Sequence, residues 1–103
     1  MKVVLSPEAK SELDEIWFYI YQDSRREDVA DRVADEIQST IAILGKSPMA
    51  GRSRAREFGA GIRSMPSDDY VIFYKVTSGR VFVLHVFHGR RDITGLLTSK
   101  TNK

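Results

Sequence analysis

Tyr70-Val-Ile-Phe-Tyr-Lys-Val76 and Val81-Phe-Val-Leu-His-Val-Phe-His88 are two runs rich in β-branched and aromatic residues, parted by Thr77-Ser-Gly-Arg80. The second run leads directly into Gly89-Arg90-Arg91-Asp92-Ile93. This spacing predicts a β-hairpin with its turn over 77–80. A loop of two or four residues sets Val76 opposite Val81, so that facing residues share a side of the sheet. One side then carries Val71, Phe73, Lys75, Phe82, Leu84, Val86 and His88; the other carries Tyr70, Ile72, Tyr74, Val76, Val81, Val83, His85 and Phe87. Both sides are mostly apolar. Two helices can cover only one of them, which predicts an uncovered apolar face of the kind that marks a partner site.

Upstream of the hairpin, Lys2–Leu5 reads as a first strand. Ser6-Pro7-Glu8 is a helix start, with Ser as the cap, Pro at the first helical position and an acid near the positive helix end. Ala9, Leu13, Ile16, Trp17 and Ile20 recur at the spacing of a core-facing helix stripe, while Lys10, Glu12, Asp14 and Glu15 fall on the other face. Trp17 belongs to the stripe; Tyr19 and Tyr21 lie toward its edge. Ser24-Arg-Arg-Glu27 matches a capping box and predicts a second helix from there. Its buried stripe runs Val29, Ala30, Val33, Ala34, Ile37, Ile41 and Leu44, with Gly45 as a left-handed cap and Pro48 as a stop. So short a connection makes the helices an antiparallel hairpin, and Ala30 and Ala34 allow close approach. Ser47–Gly61 reads as loop, Ile62–Met65 as a short strand, and Pro66–Asp69 as a turn. The fold class is therefore α+β: an N-terminal strand, a two-helix hairpin and a small, mainly antiparallel sheet in the order β-α-α-β-β-β. Residues 1–97 form a single domain, followed by a polar tail at 98–103.

At 103 residues, 42% hydrophobic and 29% charged, the chain fits one ordinary domain. Its apolar runs are too short for a membrane helix, and Met1–Leu5 has no secretory-signal pattern, so a cytoplasmic protein without membrane contact is expected. There is no cysteine, which excludes disulfides, zinc–thiolate sites and thiol nucleophiles. The net charge of +2 conceals an asymmetry. Residues 1–44 hold ten acids and five bases, whereas residues 45–103 hold eleven bases and four acids. A partner of opposite sign is implied, either a nucleic acid or an acidic peptide.

The cations that could serve such a partner are Lys46, Arg52, Arg54, Arg56, Arg63, Arg90 and Arg91, drawn from a loop, a short strand and the tail. Arginine suits this role because its planar fork grips two oxygens of a phosphate or carboxylate. His85 and His88 are the only histidines. Three apart on a strand, they point to opposite faces, which excludes a metal site shared by this pair alone. His85 reads as a hydrogen-bonded core residue, and His88, at the strand exit, as a possible functional contact. Glu8, Glu12 and Glu15 read as a solvated helix face. Asp92 has the position to neutralise Arg91 or to cap a final turn. No P-loop, dinucleotide fingerprint, nucleophile elbow or metal-ligand spacing is present, so no cofactor, metal or catalytic residue is assigned.

Taken in order, Leu5-Ser6-Pro7-Glu8-Ala9 with its acidic helix, Arg63, Tyr70-Val-Ile-Phe-Tyr74, His85-Val-Phe-His88 and Gly89-Arg-Arg-Asp-Ile93 resemble the ParE branch of the RelE/ParE toxins. The resemblance implies the same α+β fold and a toxin of a bacterial toxin–antitoxin module, neutralised by an antitoxin whose acidic C-terminal segment folds onto it. It further implies a non-enzymatic poison of DNA gyrase that causes growth arrest without sequence-specific nucleic-acid binding of its own. Arg52, Arg54, Arg56, Arg63, Arg90 and Arg91 are the charged contacts expected for target or antitoxin. RelE-type members are instead ribosome-dependent mRNA endonucleases that carry a catalytic aromatic or a Glu/His/Tyr-type set near the C-terminus. Here no tyrosine follows Tyr74. The endonuclease reading would rest on Arg52, Arg54, Arg56, Arg63 and His88 converging, and a non-toxic interaction module is the third reading.

Overall fold

The computed structural model describes residues 1–90; Arg91, Asp92 and the polar tail 98–103 lie outside the described residues. The elements are β1 (Lys2–Leu5), α1 (Pro7–Ser24), α2 (Glu27–Lys46), β2 (Arg52–Ser53), α3 (Ala55–Phe58), β3 (Arg63–Ser67), β4 (Tyr70–Thr77) and β5 (Arg80–His88). The strands form one sheet in the order β1-β5-β4-β3-β2. Only β1 runs parallel to its neighbour, β5; every other pairing is antiparallel. The α+β expectation therefore holds, with β2 and the single-turn α3 added inside the segment read as loop.

Ser6 ties the first strand, first helix and sheet together. Its Oγ accepts from the Ala9 N–H at 2.9 Å, capping α1, and donates to the Leu84 carbonyl at 2.7 Å. Its own N–H donates to Val83 O at 2.9 Å. One residue thus ends β1, starts α1 and pins both to β5.

The helix junction differs from the expected capping box. Ser24 is the last residue of α1, and its Oγ donates back to Ile20 O at 2.7 Å. Arg25 takes the left-handed conformation (φ 59°) and closes the helix through Tyr21 O. α2 then starts from Arg26 without a side-chain cap. The Ser24 Oγ also accepts from the Arg26 N–H at 3.1 Å, so it serves the two-residue reversal and the end of α1 and does not reach the first turn of α2. Gly45 also differs: it lies inside α2, which runs on to Lys46. A Cβ there would sit 3.0 Å from Met1 O and 3.1 Å from Val3 Cγ2, so this glycine lets α2 approach β1.

Ser78 (φ 51°) and Gly79 (φ 71°) form the β4–β5 turn, both left-handed as a tight hairpin requires, and Val76 faces Val81 as expected. Beyond that point the register shifts. Tyr74 pairs with Val83 but Phe73 pairs with His85, so Leu84 is an extra residue in a β-bulge. The inserted residue reverses the parity of everything after it. Val86 and His88 therefore join Tyr70, Ile72 and Tyr74 on the helix side, and His85 and Phe87 move to the far side with Phe73 and Val71. The side assignment read from the sequence is corrected for these four residues of β5.

The main core packs Ala9, Ile37, Ile41 and Leu44 of the helices on Tyr70, Ile72, Tyr74, Val81, Val83 and Val86. The far face is not left bare at its centre: Phe73 is fully buried and Phe87 nearly so, beneath Phe58 and Ile62. Phe58 meets Phe73 edge-on with ring centroids 5.6 Å apart. Burying an aromatic ring of this size contributes about 1.5–3 kcal/mol, enough to hold a one-turn helix against the sheet. The expected uncovered face shrinks accordingly to the half-buried Val71, Phe82 and Leu84.

Candidate functional site

The arginines chosen from the sequence fall into two separate places. At the β2–α3–β3 edge, Arg54 lies 5.0 Å from the Phe58 centroid and 5.6 Å from that of Phe73. Its Nε pairs with Glu57 Oε2 at 2.6 Å, and its Nη1 donates to Ser64 Oγ at 3.1 Å. Arg54 is thereby part of the cover over the far face. Arg63 donates from Nε and Nη2 to Gly51 O at 3.0 and 2.7 Å, and from Nη2 to Met49 O at 3.2 Å. From the core side, the buried Tyr74 hydroxyl accepts from the Gly51 N–H at 2.9 Å and donates to Pro48 O at 2.7 Å. The segment 48–51 is thus clasped between an arginine and a tyrosine. Gly51 is required there, since a Cβ would lie 2.6 Å from both Ser64 O and the Tyr74 hydroxyl oxygen.

This scaffold holds out two other cations. Arg52 and Arg56 are exposed and make no side-chain hydrogen bond or ion pair with any described residue. Of the four arginines in this segment, two build the edge and two are left to meet something else.

His88 and Arg90 stand at another corner. Arg63 pairs with Tyr74, whereas His88 pairs with Tyr70, four residues further along β4. At about 3.3 Å per residue and 4.8 Å per strand, the backbones of Arg63 and His88 are separated by roughly 13 Å along the strands and roughly 10 Å across them. The Arg63 guanidinium is moreover held on the Gly51 and Met49 carbonyls and is not brought to His88. The convergence of Arg52, Arg54, Arg56, Arg63 and His88 is not formed. Arg90 is exposed, its backbone N–H donating to His88 Nδ1 at 3.1 Å, and Arg91 lies outside the described residues.

Around His88, β5 has outrun β1, which pairs only as far as Val83. Glu12 fills the first vacant place on that edge. Its Oε1 accepts from the Val86 N–H at 2.9 Å, and its Oε2 lies 2.9 Å from His85 Nδ1, with both side chains largely buried. The solvated role read for Glu12 is corrected: it staples α1 to β5. The signal was available in the spacing, since Glu12 lies three residues after Ala9 and four before Ile16, at the margin of the buried stripe. His85 is a hydrogen-bonded, buried residue as expected, its ring stacked 4.8 Å from that of Phe87.

His88 meets Tyr70 edge-on at 5.3 Å. Burial first, and then the nearby Tyr19 and Asp69, raise the Tyr70 hydroxyl above its ordinary value of 10.0. Trp17 is half-buried, donating to Asp31 Oδ1 at 2.8 Å and stacking on Tyr21, while Phe18 and Tyr19 are exposed. Among the described residues no cluster of His, Asp and Glu is disposed to hold a metal ion, and no helix is long and apolar enough to cross a membrane.

Residues 3–93 match the family described as the ParE toxin of the type II toxin–antitoxin system, parDE. The chain belongs to the ParE toxin family. Toxin ParE1 of Mycobacterium tuberculosis is 33% identical over 93 residues, covering 89% of this chain and 93% of that protein. Toxin ParE1 of Caulobacter vibrioides is 38% identical over 84 residues, covering 82% of this chain and 84% of its own. Among solved structures, the chromosomal ParDE system of P. aeruginosa superposes with a TM-score of 0.73 at 18% identity, over 85% of this chain and 95% of that one. The isolated E. coli RelE toxin superposes with a TM-score of 0.59 at 16% identity, over 99% and 98%. The ParE fold is thus shared with RelE, and at such identities the likeness speaks for architecture alone. What distinguishes the ParE chain here is its own side chains.

Proposed function

We propose that this ParE-family chain is the toxin of a type II toxin–antitoxin pair, acting in the cytoplasm as a non-enzymatic poison of DNA gyrase. A cognate antitoxin silences it by direct binding, its acidic C-terminal segment ordering on the helical hairpin and an open part of the sheet. Arg52 and Arg56 on one edge and Arg90 at the His88 corner are its charged contacts, and Arg91 is a further one proposed from the sequence. Arg54 and Arg63 act indirectly, by holding the edge that presents Arg52 and Arg56.

The observation that carries the non-enzymatic reading is the division of the ionisable groups. Phosphodiester cleavage by general acid–base chemistry needs a base, an acid and cations around one phosphate. Here His85 is engaged by Glu12, Arg54 and Arg63 are engaged by the scaffold, and His88 stands far along the sheet from both. A protein that traps another enzyme's intermediate needs only an exposed binding surface.

The test adds the purified toxin to gyrase with supercoiled plasmid and ATP, and in parallel to ribosomes programmed with a defined message. Lost supercoiling with accumulated linear DNA and an intact message is the expected result. A cut message beside unaffected gyrase overturns this reading in favour of a RelE-type endonuclease. Growth arrest in cells with neither effect in vitro leaves the family assignment and removes gyrase as target.

A further inference from the structure

The strand register gathers unpaired cations on the side of the sheet turned away from the helices. Val3, Leu5, Val76, Val81 and Val83 belong to the helix-side core. Alternation along each strand therefore sends Lys2 and Val4 of β1, Arg80 and Phe82 of β5, and Lys75 of β4 to the other side. Lys2 pairs with Arg80, and Phe82 pairs with Val4 on one flank and Lys75 on the other. Three exposed cations thus surround a half-buried aromatic ring at the hairpin end. Strand and residue spacings put the backbones of Lys2 and Arg80 about 5 Å apart, and those of Arg80 and Lys75 about 8 Å apart. None of the three side chains has a hydrogen-bond or ion-pair partner among the described residues. The other charges on this side are engaged or distant. Arg54 and Glu57 pair with each other, His85 is held by Glu12, and Arg90 lies past the opposite end of β5. Arg52 shares the face at its far edge, through its register with Ser64 and Phe73. Every remaining described acid lies on α1 or α2, across the sheet, or at Asp68 and Asp69, before the start of β4.

Like charges directly opposite one another weaken a sheet, and no described residue offsets the Lys2–Arg80 repulsion. A lysine on an edge strand guards against edge-to-edge pairing, which accounts for Lys2 alone. β4 and β5 are interior strands, so Lys75 and Arg80 have no such duty. We infer that this face binds a single nucleic-acid strand, holding its phosphates on Lys2, Arg80 and Lys75 and one base against Phe82, without regard to sequence. Between Arg80 and Val83, β5 is paired on both sides, which closes it to an added peptide strand. The ligand has to lie across side chains, bringing closely repeated anions together with a flat apolar surface. A single strand brings both, since its phosphates take the cations and every base has a π-face. A duplex keeps its base faces stacked and reaches the cations alone. An acidic peptide brings carboxylates without a planar group beside each. Binding here needs neither the Arg63 and His88 set nor gyrase as the target.

Fluorescence anisotropy of a labelled oligothymidylate of about ten nucleotides, titrated with the full-length chain, tests it. Unlabelled single strand, duplex of the same length and an oligoglutamate peptide serve as competitors. At low salt a Kd of about 10–100 µM is expected, with a log–log salt slope near about −2, from about −0.7 for each phosphate held. Lys75→Gln with Arg80→Gln, both at exposed positions, should leave the urea midpoint in place, weaken binding about tenfold and flatten the slope to about −0.7. Phe82→Leu should weaken the single strand about fivefold and leave duplex competition unchanged. Three results would overturn the proposal: binding undiminished by the Lys75, Arg80 change but lost with Arg52→Ala, Arg56→Ala; a preference for duplex; or oligoglutamate competing as well as unlabelled single strand. The last would assign the face to an acidic protein instead. None of these readings involves gyrase, ribosomes or growth, so the failure of either idea leaves the other standing.

Discussion

The β2–α3–β3 edge and the far corner of β5 were both picked out by their charged residues, yet they use them in opposite ways. At the edge, Arg54 and Arg63 direct their guanidinium groups inward, onto aromatic faces, a serine and the carbonyls of Met49 and Gly51. At the corner, Glu15 and Arg90 make no side-chain bond to a described residue, and only Glu12 is engaged. Residue type therefore does not separate structural from available charge. The separation follows from whether a nearby backbone leaves polar groups that need a partner: segment 48–51 does, because it crosses the sheet end without a strand of its own.

That contrast can be broken most severely at Gly51. Gly51→Ala places a methyl group 2.6 Å from Ser64 O and the Tyr74 hydroxyl, so the clasp must open. A loss of about 3 kcal/mol is expected in urea denaturation, and an unchanged midpoint would show the clasp to be dispensable. Arg63→Ala should lose about 2 kcal/mol by leaving two carbonyls poorly satisfied, with Arg63→Lys only partly restoring it because the fork is gone. Toxicity lost with Arg63→Ala should return in proportion to recovered folded protein. Full stability with lost toxicity would instead make Arg63 a direct contact.

At the corner, Glu12→Ala exposes the Val86 N–H and removes the His85 partner, an expected loss of about 1–2 kcal/mol. Faster hydrogen exchange at Val86 is the specific sign, since a merely looser helix would not single out that amide. The double change Arg52→Ala, Arg56→Ala should stay within about 0.5 kcal/mol of the parent while weakening action on the target. If it left the target effect intact, the edge would be scaffold throughout. The smallest effect concerns pH. Tyr70 is raised above 10.0 by burial, so its contribution is fully present below that value. As pH rises further, the unfolded chain ionises first and stability falls. Urea midpoints between about pH 9 and pH 11 should show a slope that Tyr70→Phe reduces.

Local signals with one physical solution were readable directly. Ser6-Pro7 caps a helix because the serine hydroxyl takes a first-turn N–H and proline, which has none, fits the first helical position, and Ser78-Gly79 turns a hairpin because the flanking strands demand positive φ. The helix stripes and the Val76–Val81 register follow from the periods of 3.6 and 2. Ser24 and Gly45 were misleading because serine and glycine each have two uses, at a terminus or against a neighbour, and only the neighbour decides.

The sequence by itself determined the α+β class, the long elements in their order and the two helix stripes, since these rest on local propensity and periodicity, while the ParE resemblance rests on the identity of the residues in its motifs. The tertiary structure alone decided the bulge at Leu84, which exchanges the faces of His85 and Val86, because a strand accommodates an extra residue only against a particular partner. It also decided that Glu12 seals a strand edge and that Arg63 holds a loop. A carboxylate or guanidinium takes whatever unsatisfied backbone group the fold brings within reach, and that group lies in these cases 12 to 74 residues away along the chain.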